Sequence, residues 1–429
     1  MATDTTSAGP EASSPEASSI EFTACFEDVP DPCIQRRKEH TLLDITGLTI
    51  CAVVAGAGTF AGIERFGKSR RGWLKQFLEL KNGIPSHDTL GRVWSQVDPE
   101  EFEDGFRRWI GGLTDSIGDV VAVDGKTLRG SYDRESSKAA LQMINVWSCE
   151  QELVLGQEAV PSGTNETGAL PDLLRLLEVK GAIVTIDIVT IDAAGCYSSV
   201  AEEITDAGAD YVITLKGNQK TLQHDAEALF EKLETIGRLP EPCKTVDGGH
   251  DRVEVRRCWA IGVETTEIEA SDWPELASFC KVRSERYHPD GTTQTEERLF
   301  ISSLEPDPEQ LLEAVRHHSR VENKLHWTLD VAFEEDLSRV RTGHAAQNLG
   351  IVRRLALSLL KQETSRSVGV KLKRKDAGWN SDYLLKVLTA GNYAHRRKLN
   401  AIALVSSFLL EDLGITEAIA RRLPRARVQ

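Results

Sequence analysis

Val120-Val121-Ala122-Val123-Asp124-Gly125 is a run of four apolar residues closed by an acid and a glycine. A short apolar run of this kind reads as a buried strand, with its carboxylate delivered at the C-terminal end. The pattern recurs downstream. Residues 182–191 are rich in Val, Ile and Thr, and Asp192 follows them. Between the two acids, Leu141 to Cys149 and Glu152 to Val160 read as strands joined by a short polar turn, and Leu170 to Leu177 reads as a helix. Ser198 to Asp206 reads as a helix, and Asp210 to Leu215 as a fifth strand ahead of Lys216-Gly217-Asn218-Gln219.

Three strands followed by alternating helix and strand predict a mixed sheet, antiparallel in its first part and parallel in its second. This is the order of an RNase H-like α/β core, with acids at the ends of the first and fourth strands. Working outward, residues 1–25 read as a disordered tail of Ser, Ala, Thr, Glu and Pro. Residues 26–115 form a helical domain: helices are expected at Leu42 to Phe66, at Leu74 to Leu80, and from Pro99 through Trp109. Ser86 or Asp88 is placed to cap a further helix. Residues 116–236 are the first part of the core, ending in a helix near Leu222 to Ile236. Residues 237–305 form a β-rich insertion, with strands at Arg252 to Ile261, Ser278 to Tyr287 and Thr295 to Ser303. Residues 306–365 return to the core as helices starting at Pro308, and 366–429 are a basic helical C-terminal region.

The 429 residues carry a net charge of −15, which excludes a simple DNA-coating protein. The charge is uneven, however. From Arg339 to Gln429 there are 18 Lys and Arg against 6 Asp and Glu, so that segment is +12 and the remainder −27. The last fifth is the expected polyanion-binding part. Ile45 to Ile63 is uncharged but built of Gly, Ala and Thr, and reads as a buried helix rather than a membrane span. With no signal-peptide pattern and no CxxC pair among the eight Cys, the chain reads as cytoplasmic with reduced thiols.

Converging carboxylates at strand ends suit phosphoryl transfer. Two Mg²⁺ ions ~4 Å apart activate the nucleophile and stabilise the leaving oxygen, and Mg²⁺ takes oxygen ligands. A third acid is expected from the helical region. In His318-Ser319-Arg320-Val321-Glu322-Asn323-Lys324-Leu325-His326, helical spacing puts His318, Glu322 and His326 on one face. Asp330, Glu334, Glu335 and Asp336 compete for the acid role, and a histidine-based metal site is a minor alternative.

The chain resembles the ISAs-type insertion-sequence DDE transposases, which include the H-repeat-associated proteins. The resemblance runs from about Phe26 to Leu360. It is carried by Gly83-Ile84-Pro85-Ser86-His87-Asp88-Thr89, Val123-Asp124-Gly125-Lys126-Thr127-Leu128-Arg129-Gly130-Ser131 and Asp192-Ala193-Ala194-Gly195-Cys196. Leu215-Lys216-Gly217-Asn218-Gln219, Val321-Glu322-Asn323, Leu325-His326-Trp327 and Glu335-Asp336 continue it. It implies metal-dependent cleavage at element ends and strand transfer into target DNA. It further implies Mg²⁺ (or Mn²⁺) as cofactor, double-stranded DNA as partner, and a homodimer or higher synaptic oligomer working at the nucleoid. Carried over, Asp124, Asp192 and Glu322 are the catalytic, metal-binding triad, with Asp187 and Asp330 as alternative acids. Related groups carry a Tyr, Arg, Glu, Lys signature around the last acid. Here Val315, His318, Glu322 and Leu329 stand there, and only the Glu is kept.

Residues 183–192 are a perfect tandem repeat, Ile-Val-Thr-Ile-Asp twice. Five residues of strand span ~16 Å, and an odd offset reverses the face, so Asp187 and Asp192 cannot both lie beside Asp124. Asp192 is preferred because it precedes Ala193-Ala194-Gly195. The repeat favours one alternative, a catalytically impaired or repurposed DNA-binding derivative; a structure-specific nuclease on the same fold is a further one. Lys126, Arg129 and Lys216 lie beside the acids as phosphate-binding candidates, with His326 on the Glu322 face. His250, Arg252 and Arg256 in the insertion and Lys373, Arg374, Arg396 and Arg397 in the basic region are further DNA-binding candidates.

Overall fold

The computed structural model describes residues 25–33, 39–111, 120–132, 139–160, 173–174, 182–186, 196–217, 219–249, 252–268 and 272–390. Asp187, Asp192, His250, Arg396, Arg397 and nearly all of the helix expected at 170–177 lie outside them.

The N-terminal part is helical, as expected, but divided differently. A single helix over Leu42 to Phe66 gives way to α1 (Leu42–Val54) and α2 (Phe60–Leu74). The chain turns between them at Gly56, whose φ of 104° a side chain would resist, and the Thr59 hydroxyl caps α2 by accepting the Gly62 N–H. Nor is Leu74 to Leu80 a helix. The Asp44 carboxylate on α1 accepts the amides of Glu79 and Leu80 at 2.9 and 3.1 Å and fixes that segment as a turn. Ser86 caps α3 (His87–Trp94), and α4 (Pro99–Gly111) starts at its proline. α1 is buried almost all round. Among the described residues no helix is long and apolar enough to cross a membrane.

Nine strands form one mixed sheet in the order β3-β2-β1-β4-β5-β9-β8-β7-β6. They are β1 (Val120–Leu128), β2 (Leu141–Ser148), β3 (Leu153–Ala159), β4 (Ile183–Ile186), β5 (Asp210–Leu215), β6 (Cys243–Gly249), β7 (Arg252–Gly262), β8 (Ser278–Tyr287) and β9 (Thr293–Ser302). β1, β2 and β3 are antiparallel neighbours, while β1, β4 and β5 are parallel, as the element order predicts. The β-rich block does not stand apart: β9 pairs antiparallel with β5, so β6 to β9 continue the core sheet. β6 escaped the sequence reading because Asp247-Gly248-Gly249 looks like a turn.

Asp124 is not at the end of its strand, because β1 runs on to Leu128 against β2. The parallel pairing of β1 with β4 is described only as far as Val123↔Ile186, so Asp124 lies one residue beyond it. Residues directly opposite one another share a sheet face. Followed strand by strand, the pairing puts Asp124, Lys126, Asn145 and Thr185 on the same face as Arg298, Glu296, Arg286, Glu254 and Arg256 at the far end. The helix α7 (Pro308–Val321) crosses this face, and α6 (Lys220–Thr235) packs the other; α5 (Cys196–Asp206) joins β4 to β5.

A π-helical turn, Glu322–His326, leads from α7 into α8 (Trp327–Ala332). The long α9 (Ala345–Gln362) is buried against α1, α4 and β3. α10 (Val370–Trp379) and α11 (Ser381–Leu388) fold back on α1 and α9.

One buried acid gives the fold a pH dependence. Glu103 of α4 covers the β3 edge, its carboxylate accepting the Gln157 N–H at 2.9 Å. Burial pushes Glu103 up to about 8, against the pull of Arg107 and the Gln157 amide. A folded-state value above the unfolded 4.5 means that the stabilisation is complete below about 4.5 and is lost as pH rises to about 8. Glu103→Gln keeps the acceptor and removes the titration. We expect its stability relative to the native chain to increase from pH 5 to pH 9 in urea unfolding; a constant difference would contradict this.

Candidate active site

The π turn is the local feature that builds the site. One extra residue in a turn is uncommon inside a helix and concentrates at functional positions. Here it holds Glu322 and His326 together over the end of the described β1–β4 pairing. His326 is buried, and its Nδ1 lies 3.0 Å from Glu322 Oε2 and 3.5 Å from Asp124 Oδ2. Its Nε2 is buried with no hydrogen-bond partner among the described residues. Glu322 is the outward member, its side chain 74% exposed. The His326 hydrogen bond holds Glu322 below the usual carboxylate range, with Lys126 adding to the effect. Asp124 Oδ1 accepts its neighbour's Gly125 N–H at 2.8 Å. Among the described residues, Asp124, Glu322 and His326 are the group whose ligand atoms all lie within 4.8 Å of one another.

The other residues expected at the centre divide. Lys126, two residues past Asp124 on the same face, is buried and donates to Asp330 Oδ2 at 2.7 Å. It is therefore an internal counter-charge rather than a DNA contact, and Asp330, the alternative acid, is neutralised by it. His326 is likewise enclosed against the two acids rather than presented to DNA. Arg129 stays exposed, 3.6 Å from Asp336. Lys216 lies at the end of β5 in a second cleft, between α6 and β9. His318 Nδ1 meets the buried Thr185 hydroxyl of β4 at 2.9 Å, tying the Glu322 helix to the middle strand. Gly130 and Ser131 of the motif have structural parts: a Cβ on Gly130 would collide with the Ser338 carbonyl, and the Ser131 hydroxyl accepts the Leu141 N–H at 2.7 Å.

Lys373 and Arg374 correct the reading of the basic segment. Both are buried. Lys373 Nζ donates to the carbonyls of Leu360 and Glu363. Arg374 donates to the carbonyls of Val53, Ala57 and Ala332, closing the C-terminal end of α1. Burial pulls the Lys373 ammonium below its ordinary value and Arg374 down to about 10. Spacing alone cannot separate a cation that binds backbone carbonyls internally from one that faces solvent.

Sequence reasoning missed the support behind Asp124. Arg354, fully buried on α9, donates to Asn145 Oδ1 at 2.5 Å and to Glu335 Oε1 at 3.0 Å. Asn145 in turn reaches the Asp124 carbonyl at 3.5 Å. Burial opposes the charge on Glu335, yet Arg354, Arg353 and Lys126 outweigh it and hold its carboxyl below the usual range. The signals were present as a lone Asn in Met143-Ile144-Asn145-Val146-Trp147 and an Arg pair inside the apolar run of α9.

A cleft of about 430 Å³ opens beside these groups. It is lined by Asp124, His318, Glu322 and Asn323 and, from the far strands, by Glu254, Arg256, Arg286, Glu296 and Arg298.

The family described as "Transposase DDE domain" matches residues 115–359, and "DDE_Tnp_1-associated" matches residues 23–110. The chain belongs to the DDE-domain transposases. YncI of Escherichia coli O157:H7, named as a transposase, is 37% identical over 84% of this chain and 93% of its own. YhhI of Escherichia coli K12, named as an H repeat-associated transposase, is 35% identical over 84% and 95%. YbfQ of the same strain, named as an inactive transposase, is 53% identical over 13% of this chain and 68% of its own. A solved piggyBac transposase synaptic complex with hairpin DNA covers 89% of this transposase and 78% of its own chain. Its TM-score of 0.36 and 9% identity are too low to bear on the fold. The matches span both the helical N-terminal part and the sheet.

Proposed function

We propose that this transposase cleaves DNA at insertion-sequence ends and joins them to target DNA, on an RNase H-like core, with Asp124, Glu322 and one Asp of the 183–192 repeat holding divalent metal. The observation that carries the reading is the convergence of Asp124 and Glu322 beyond the described end of the β1–β4 pairing, from elements far apart in sequence. The donor set fits. Two carboxylates suit Mg²⁺ or Mn²⁺, and the ligand atoms of Asp124, Glu322 and His326 all lie within 4.8 Å of one another. When bound, the metal supplies Lewis acidity at the phosphoryl oxygens and lowers the pKa of the attacking hydroxyl. The chain's own groups keep that place ordered: His326 aligns the two acids, Lys126 neutralises Asp330, and Arg354 with Asn145 fixes the Asp124 backbone. The test is an assay of the full chain with Mg²⁺ on DNA carrying its element's terminal repeats. We expect 3′-hydroxyl ends and joined products; intact DNA under those conditions would count against the reading.

The tandem repeat favours a second reading, an impaired copy. The copy paired in the described sheet is the first, Ile183–Ile186, and the residue that follows it is Asp187. Because residues 188–192 repeat 183–187, either copy fits the same slot, and the strand register is degenerate. Asp192 keeps the family-like neighbours Ala193-Ala194-Gly195, so we assign the middle acid to it and regard the paired first copy as the competing register. A variant lacking residues 183–187 has one register and one acid. It is expected to cleave severalfold faster than the native chain; equal or slower cleavage would remove the impairment reading.

A further inference from the structure

The sheet face that carries Asp124 continues across β9, β8 and β7, and there it carries charge. Glu254 is buried between two guanidiniums, Arg256 Nη2 at 2.8 Å and Arg286 Nε at 3.1 Å. Glu296 bridges Arg286 at 3.3 Å and Arg298 at 2.7 Å. Asp247 joins Arg256 at 2.6 Å to Arg316 of α7 at 2.8 Å. Among the described residues the network sets four guanidiniums against three carboxylates, while the cleft lining, with Asp124 and Glu322, holds three guanidiniums and four carboxylates, so a phosphate has to displace a carboxylate to enter. A buried carboxylate between arginines adds little net stability, because desolvation offsets the attraction; apolar side chains would join these strands as well or better. What the network does achieve is to hold guanidinium groups in fixed orientation in the cleft that Asp124 and Glu322 also line. Planar forks of N–H donors are suited to phosphate.

The size of the cleft selects the ligand. About 430 Å³ lies in the range of roughly 300–1,000 Å³ that takes a ligand of small-molecule size. It admits a nucleotide, not a double helix whose major groove alone is about 12 Å wide. We propose that Arg256, Arg286 and Arg298 clamp the phosphates of one unpaired DNA strand and lead it to Asp124 and Glu322. The choice of DNA as the nucleic acid rests on the phosphoryl-transfer reading above. Glu254, enclosed, is the positioning residue that stays. Glu296, at the rim, is the counter-ion that the phosphate displaces.

The experiment is fluorescence anisotropy of the full chain in EDTA, with an oligothymidylate strand and a duplex of equal length as probes. Arg286→Ala/Arg298→Ala is expected to bind the single strand about tenfold more weakly. Its salt dependence should be shallower by ~0.7 for each phosphate that is no longer neutralised, with duplex affinity nearly unchanged. Glu296→Gln, a same-shape change at a partly exposed side chain, is expected to bind the single strand more tightly. Equal weakening on both probes, unchanged affinity on both, or weaker single-strand binding by Glu296→Gln would overturn the proposal. If the double variant does not fold, the direction of the Glu296→Gln effect decides alone. Because no probe is cut, failure here leaves the cleavage reading standing, and a chain that cleaves nothing can still show the clamp.

Discussion

Asp124→Ala is expected to lower DNA cleavage by at least ~10³-fold while leaving DNA affinity within about twofold of the native chain. The magnitude follows from what is removed. A single group that stabilises transition-state charge accounts for roughly 10²–10³-fold in rate, and Asp124 is proposed to hold the ion that acts on both the attacking and the leaving oxygen. Affinity is expected to persist because DNA binding is dominated by phosphate contacts from cations, and Asp124 is an anion at one end of the cleft. The change should also be tolerated structurally. Asp124 Oδ1 accepts the amide of the adjacent Gly125, and the Asp124 backbone keeps the β2 pairing whatever the side chain. Cleavage gels beside anisotropy titrations separate the two effects. Parallel loss of both would mean that the substitution disturbs the fold, and full cleavage would end the assignment of this acid.

Arg354→Ala is expected to destabilise the protein by about 3–5 kcal/mol, the cost typical of breaking a buried ion pair from one side. Both Arg354 and Glu335 are fully enclosed, so the carboxylate left behind cannot reach water. Arg353, 3.6 Å from the same oxygen, compensates only in part. Typical domains are stable by roughly 5–15 kcal/mol, so a loss of this size shows as a large fall in the urea midpoint. Arg354→Met keeps the packing of the stem and is expected to lose somewhat less. The site should register the change too, because Asn145 loses its anchor at 2.5 Å and with it the hold on the Asp124 carbonyl. A native-like urea midpoint in Arg354→Ala would show that the network carries no such load.

The legibility of this chain in its sequence follows physical lines. The mixed core was readable because each strand is a short apolar run bounded by polar turns, and the element order limits the topology. That β9 joins β5 was not, since pairing partners across nearly a hundred residues leave no local trace. The break at Gly56 was hidden because Ala, Gly and Thr fit a buried helix as well as a turn. Asp124 and Glu322 were found from a strand-end acid and a helix-borne acid. Helical spacing also paired Glu322 with His326, but that His326 meets Asp124 as well is a contact across some two hundred residues, which no local spacing shows. The basic segment misled in its described part for a definite reason. Arg353, Arg354, Lys373 and Arg374 are enclosed by ion pairs or carbonyls, and composition counts a buried cation and an exposed one alike. The arginines that line the cleft with the acids went largely unnoticed because Glu254 and Glu296 cancel Arg286 and Arg298 in any local charge count.

The central claim is that Asp124 and Glu322 share one metal site. Titration of Mn²⁺ into the full native chain, into Asp124→Asn and into Glu322→Gln, followed by loss of the free-ion paramagnetic resonance signal, tests it most directly. Both substitutions preserve shape and hydrogen bonding while removing one negative charge. Saturable binding in the native chain that is weakened at least tenfold by each substitution is the predicted result. Native-like Mn²⁺ binding in either variant would contradict it.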